Sequence, residues 1–491
     1  MPSRSRIGPS LVALVLACNT DPDGAGSDTT ADGGSSAGDT ATDSDGAVIQ
    51  CPIVNRGYSS QTEKWTQGLY SQADVEKFAR CTHVSESLVI RASHIVDLTP
   101  LTSLRHVAGT LSISGGSNSL MDPGGPPSLA GLEGLEYVEG LRLEGLLVND
   151  LFPLAGLTDI PGDVRVERLW ALTSLEGLHN LATVGAALVV DECPQLQDLN
   201  GLRGLKRAGV RVWFGDLPIT SLSGLEALTE VGMPGGESRI GLYDLDKLTT
   251  LDALGIDWRP EHELWIYNTG ISDLHIFDGV EELMALDLGS NDMLTSLSGL
   301  ESLAVVRNGL SLGDNKNLTD LGALERLETL GALTVEGSSL TDLGPLPALQ
   351  QPGDLRISGN AQLAALSGLT GATTLRSLVL ESNPMLTALP ELGALAQVDG
   401  DLELRKSTTL THLTDLAALT SVGGRLAVVY NPGLLQTDAE AWAAAIVVGG
   451  IRKIVGNNGD DQPHVDPCPW ANDDECDYAV CIDDGYDCLS D

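Results

Sequence analysis

Positive charge is what this 491-residue chain has least of: 28 Lys and Arg face 68 Asp and Glu, leaving a net charge of −40. Such an excess disfavours nucleic acid and anionic lipid headgroups as partners, because both are bound through cationic surface. Aromatic residues make up only 4% of the sequence, so any place where they gather stands out. No segment has the roughly 20 consecutive apolar residues that cross a bilayer as a helix. No HExxH pair, phosphate loop or nucleophile elbow is present, and the eight histidines are scattered. None of the eight cysteines has the CxxC spacing of a zinc site. The chain reads as a non-enzyme, with no cofactor in its body.

What it has instead is leucine at a fixed period. Ala285-Leu-Asp-Leu-Gly-Ser-Asn291, followed by Leu294, Leu297, Leu300 and Leu303, returns as Gly309-Leu-Ser-Leu-Gly-Asp-Asn315 and as Asp354-Leu-Arg-Ile-Ser-Gly-Asn360. Numbered by the first inward aliphatic residue, repeats begin at 88, 111, 141, 164, 188, 210, 240, 264, 286, 310, 333, 355, 378, 402 and 426. The steps are 22 to 24 residues except two of 30, which absorb Gly/Pro-rich inserts near 115–127 and 232–238. A period in this range, with this leucine pattern, marks a solenoid. The expected fold is a β-rich solenoid: a right-handed parallel β-helix or leucine-rich-repeat-like coil of about 15 turns with short capping helices.

Each repeat alternates with period two, as a strand with one buried face does. The Asn five residues after the first inward aliphatic turns inward, where its amide satisfies buried backbone groups. Cys193 holds that position in its repeat and reads as a small buried ladder residue. Glycine often precedes the strand (Gly109, Gly140, Gly162, Gly309, Gly353, Gly400, Gly424), which suits a corner with positive φ. The return segment, Leu-x-x-Leu-x-x-Leu, fills the core from the opposite wall.

Five segments follow in chain order. In residues 1–17, two arginines precede the apolar stretch Ile7 to Ala17, as in a secretory signal peptide. Val15-Leu-Ala-Cys18 resembles the lipobox of bacterial lipoproteins, which implies lipidation of Cys18 and an exported, envelope-anchored protein at the outer membrane or cell surface. Residues 18–50 carry seven Asp and no Lys or Arg, the composition of a disordered acidic tether. Residues 51–86 form a cap, with Ser71-x-x-Asp74 starting a short helix and Cys51 and Cys81 placed for a disulfide. Residues 87–456 are the solenoid. Residues 457–491 hold eleven acids and Cys468, Cys476, Cys481 and Cys488, which read as two disulfides of open connectivity.

Cys51-Pro-Ile, the helix, Arg80-Cys-Thr-His-Val84 and Ser87-Leu-Val-Ile90 together resemble the opening of a receptor L domain, the leucine-rich β-helical module of insulin- and EGF-receptor ectodomains. The Val-Gly-Gly-x-Leu-x-Val run from Val422 to Val428 is similar to the same family. Leu340 to Leu349 resembles internalin-type adhesion repeats. The likeness spans roughly residues 51–458 and implies extracellular recognition, but the chain has about three times the turns of an L domain and lacks its cysteine-rich and kinase partners. In the tail, Cys476 to Cys488 loosely resembles a Notch-type calcium repeat, which offers Asp483, Asp484 and Asp487 as oxygen ligands for calcium. A solvated acidic staple is the plainer reading. Near the end of the solenoid, Thr437-x-x-Glu440 has the form of a capping box for a helix running into Ala441 to Val448.

Two columns of side chains leave each strand outward, at the second and fourth positions of the repeat. Counted from the starts above, Glu144, Glu167 and Asp191 stack beside Arg142 and Arg165. Those arginines make a salt-bridged ladder the natural reading, since an open sheet face provides no burial to raise an acid. Trp213, Tyr243, Trp265 and Tyr267 follow on the next three turns. Exposed aromatic strips mark recognition surfaces, whereas cross-strand stacking is their purely structural explanation. The functional expectation is an envelope lipoprotein that binds an extracellular protein or glycan through this face. The alternatives are a structural envelope component without a ligand and a carbohydrate-active β-helix enzyme.

Overall fold

The computed structural model describes residues 48–55, 57–59, 64–115, 124–233, 236, 238–344, 346, 349 and 351–458. One strand per repeat stacks into a nineteen-stranded sheet. Gly57–Ser59 pairs antiparallel with Lys64–Leu69; the other strand pairings among the described residues are parallel. This is the expected β-solenoid. Leu88, Leu111, Leu141, Val164 and Leu188 are successive ladder partners, and Ile240, Leu264, Leu286 and Leu310 continue the row. All of them are buried, because each strand sends alternate side chains into the coil. On the return wall, leucines three apart sit on 3₁₀ turns: Leu300 N–H donates to Leu297 O at 3.1 Å, and Leu303 N–H to Leu300 O at 3.0 Å.

One repeat start is shifted. Val212, not Val210, pairs with Leu188 and Ile240, while Val210 is exposed. The steps around it are therefore 24 and 28 residues rather than 22 and 30. A slip of two keeps inside inside and outside outside, so alternation alone does not separate the two registers. Phe214 takes the second inward position and is completely buried. At the N-terminal end, Lys64–Leu69 already pairs with Ser87–Arg91, so the ladder begins within the segment expected to be only a cap. Gln67 occupies the inward position opposite Leu88 there, and a polar residue hid that rung from the leucine pattern.

The inward asparagines behave as their position requires. Asn291 Nδ2 donates to Ile266 O at 2.8 Å, and its Oδ1 accepts from Thr269 N–H at 3.1 Å. Asn315, Asn360, Asn383, Asn431 and Asn457 repeat this reach across one turn, each fully or almost fully buried. Earlier in the chain the same position holds Leu146, Leu169, Cys193, Leu217 and Leu245. Cys193 is a free, buried thiol whose Sγ lies 3.8 Å from Val166 O, the carbonyl equivalent to the one an asparagine would reach. Burial pushes its ionisation up to about 12, so it is not a reactive thiolate.

The glycines before the strands do not have positive φ. They permit close approach: a Cβ on Gly353 would lie 1.7 Å from Gly331 O, and one on Gly162 would lie 2.6 Å from Glu139 O. The left-handed corner falls instead at the C-terminal end of the strand, within its last two residues or just after it. Arg168, Glu192, Asp216, Asp244, Asn268, Ser290, Asp314, Ser382, Lys406 and Tyr430 all have φ between 46° and 57° there.

At the N-terminal end, Ser71 caps α1 (Gln72–Glu76) by accepting from Asp74 N–H, and Cys51 is disulfide-bonded to Cys81. At the far end, α2 (Gln436–Ala444) starts at Leu435 without a side-chain cap. Thr437 is already inside the helix, and Glu440 accepts from Gln436 Nε2 at 2.8 Å, so the expected capping box is absent. Val447–Val448 leaves the helix to pair with Ser421–Val422. That strand belongs to one of two four-stranded side sheets; the other ends at Glu230–Val231.

Where that first side sheet stops, a polar plug closes the core. Val231 O accepts from Ser238 Oγ at 2.9 Å, Arg259 Nη2 at 2.6 Å and His262 Nε2 at 3.2 Å. His262 Nδ1 accepts from Arg259 N–H at 2.9 Å, so both ring nitrogens are used by the neutral ring, with its proton on Nε2. Burial, aided by the Arg259 charge, pushes its ionisation down. The unfolded chain titrates its histidines near the ordinary value of about 6.5. Stability from the neutral ring is therefore complete above that pH and is lost as the pH falls toward the lower folded value. Urea midpoints of wild type should drop more between pH 7.5 and 5.5 than those of His262→Gln. Equal drops would remove His262 from the acid response.

Candidate functional site

The outward face between Arg142 and Ser311 holds the residues singled out from the sequence. Glu144, Glu167 and Asp191 are direct ladder partners. Arg142 lies 2.9 Å from Glu144 and 3.5 Å from Glu167, and Arg165 lies 3.4 Å from Glu167. Arg168, one of the left-handed corner residues, also pairs with Glu144. Two of the three acids thus form the expected salt-bridged ladder.

Asp191 does not. No cation lies within ion-pair distance of it among the described residues. Burial, then the charges of Glu192, Glu167 and Asp216, push its ionisation up to about 6. The open-face expectation fails here because of Gly215 on the next rung. The Asp191 carboxylate occupies the space beside that glycine, where an added Cβ would lie 2.4 Å from Oδ1 and 3.4 Å from the Trp213 indole nitrogen.

The four aromatic side chains do lie together on this face, each half-buried. The shifted register places Trp213 in the second column, in line with Trp265 and separated from it by Gly241. Tyr243 is opposite Gly215 and Tyr267. Trp213 stacks on Tyr243 with centroids 4.2 Å apart, and Tyr243 on Tyr267 at 5.3 Å. Trp265 meets Trp213 edge-on at 6.4 Å. Trp213 also leans over Gly241, and Tyr267 over Gly289, where added Cβ atoms would lie 2.6 and 2.2 Å from the rings. Ring faces are therefore largely consumed within the protein. Burial raises the ionisation of Tyr243 and Tyr267, so both stay protonated donors.

Four further side chains complete the strip: Asp287, Ser311, Arg211 and Arg239. Asp287 is the ladder partner of Trp265 and Ser311, and burial raises its ionisation. Arg211 sits over the Trp213 ring at 5.8 Å and Arg239 over Trp265 at 5.7 Å. Arg239 and Ser311 escaped the sequence reading. Arg239 lies just before the first inward residue, in a third outward column, while Ser311 has an unremarkable hydroxyl. The proposed calcium ligands Asp483, Asp484 and Asp487, the cysteines Cys468, Cys476, Cys481 and Cys488, and Cys18 lie outside the described residues. Among those described, no group of three or more metal-ligating side chains is found.

Ladder, asparagine row and leucine-rich return wall together define a leucine-rich-repeat-like β-solenoid. No protein-family model and no curated protein matches the chain. Its similarity is to solved structures. An internalin from Listeria monocytogenes is 18% identical with a TM-score of 0.36, covering 60% of this chain and 88% of its own. A leucine-rich-repeat protein of Leptospira interrogans is 16% identical at 0.36, covering 76% and 91%. A plant peptide hormone receptor, solved in complex with RGF2, is 14% identical at 0.29, covering 82% and 84%. The fold assignment rests on the ladder itself.

Proposed function

We propose that this chain is an exported, lipid-anchored and non-enzymatic recognition module, related to receptor L domains, whose sheet face binds an extracellular protein. The observation that carries this reading is the concentration of large rings: in a chain only 4% aromatic, four share three adjacent rungs of one outward face. Glu144, Glu167 and Asp191 form the polar flank. A protein suits the face better than a glycan, because sugars stack on ring faces and these are occupied by other rings and by glycine backbone. The raised Asp191 beside Glu167 has some of the electrostatics of a glycosidase pair, but Glu167 is held by Arg142 and Arg165. The structural-component alternative predicts no specific ligand at all.

The test is a screen of the purified full chain, in detergent, against panels of extracellular proteins and glycans. A protein hit is then measured with Trp213→Ala/Trp265→Ala. Loss of hot-spot rings typically costs about 2 kcal/mol or more, so binding should weaken by well over tenfold at about 1.4 kcal/mol per decade. Trp213 covers Gly241, so folding of the variant is checked first by circular dichroism. Unchanged affinity in the folded variant would reduce the strip to sheet packing, and a glycan hit lost in the same variant would move the ligand class.

A further inference from the structure

Within a molecule of net charge −40, two arginines lie directly opposite each other on adjacent rungs: Arg211 and Arg239 are register partners. Like charges at directly opposed positions of a sheet repel. Arg239 is offset by Glu263, 3.1 Å away on the next rung. Arg211 is not offset: on its other side the partner is Ala187, and no carboxylate lies within ion-pair distance among the described residues. Other arginines of this face have acid partners, as Arg142, Arg165, Arg356 and Arg405 show. Both guanidinium groups are held over indole rings, which fixes where their N–H donors are presented. The result is one guanidinium, that of Arg211, held beside the rings with no carboxylate partner among the described residues.

We propose that Arg211, supported by Arg239, is an anchor for a carboxylate of the protein partner, seated between the Trp213 edge and the small side chain of Ala187. This rests on the sheet-face reading and adds the chemistry of the bound segment, which is acidic. A planar guanidinium takes a carboxylate through two parallel hydrogen bonds, a geometry lysine does not reproduce. The acidic surroundings sharpen selection. At long range the molecule repels anions, so a carboxylate is held only where a localised cation and shape act together.

The experiment uses the full chain and a fluorescein-labelled pentapeptide of alternating glycine and glutamate, with a glutamine version and inorganic sulfate as comparisons. Saturable binding of the glutamate peptide, at least tenfold weaker for the glutamine peptide, is expected. Arg211→Gln should weaken it at least tenfold, and Arg211→Lys by less. Asp399→Asn, remote from the strip, should leave it unchanged. Equal binding by Arg211→Gln and wild type, or by both peptides, would overturn the proposal. Sulfate binding as tight as the glutamate peptide would also overturn it, leaving a free-anion site. Failure here is separable from failure of the sheet-face reading. If a protein partner is lost in Trp213→Ala/Trp265→Ala but retained in Arg211→Gln, the face stands and the carboxylate anchor falls.

Discussion

Asn360→Ala is expected to destabilise the chain by about 3 kcal/mol or more, although it removes no apolar contact of note. The Asn360 side chain is fully buried and joins two turns: Nδ2 donates to Val335 O at 3.0 Å, and Oδ1 accepts from Ser338 N–H at 3.0 Å and Ser338 Oγ at 2.7 Å. Truncation leaves a buried carbonyl and a buried amide without partners, each worth about 1–3 kcal/mol, and adds a cavity. Asn360→Asp keeps the shape but loses the donor, and it should be at least as harmful because the interior would receive a carboxylate. Asn317 provides the control. It is exposed and donates to Asp292 O at 2.7 Å, so Asn317→Ala should change stability by less than about 1 kcal/mol. Chemical denaturation followed by fluorescence and circular dichroism measures both. A loss below 1 kcal/mol for Asn360→Ala would mean that the coil relaxes to satisfy those groups another way.

The second large effect concerns attachment to the envelope. Under the proposed lipidation, Cys18→Ala should move the protein almost completely from the membrane pellet to the soluble fraction. No described helix is long and apolar enough to cross a membrane, and Ile7 to Ala17 is too short to span one. Fractionation without detergent, with immunodetection of both fractions, gives the answer directly. Continued sedimentation of Cys18→Ala with membranes would end the lipoprotein reading while leaving the solenoid untouched.

Much of the coil is legible because its signal is repeated. Leu286 and Leu310 announce the same rung geometry as Leu378, and the asparagine five residues later can be assigned from any one repeat. What escaped depended on information that does not repeat. Gln67 hid the first rung because a polar residue stands where the pattern has leucine. Val210 and Val212 are interchangeable to an alternation of period two, and only the packing of Phe214 decides between them. The aromatic strip was legible as a set, since four rings face outward in either register. Its internal stacking was not, because that follows from which rings have glycine as a neighbour across the sheet. The raised ionisation of Asp191 has the same origin, Gly215 having left space for the carboxylate to lie down. The glycines before the strands are constrained by close approach rather than by positive φ: Gly353 and Gly162 make room for carbonyls of the preceding turn.

The left-handed residues at the strand ends have a consequence for how such a coil can change over time. Each corner imposes a backbone shape that an L-residue adopts at roughly 1–2 kcal/mol, yet ten of these positions carry side chains other than glycine. Those side chains lie outside the leucine interior, and two pairs meet across turns: Asn268 Nδ2 donates to Asp244 Oδ1 at 2.7 Å, and Arg168 lies 4.0 Å from Glu192. The row works as an outer rail on which Arg, Glu, Asp, Ser, Lys and Tyr have all been accepted. Variation can accumulate along it without disturbing the hydrocarbon within, so the coil can acquire a new surface one corner at a time.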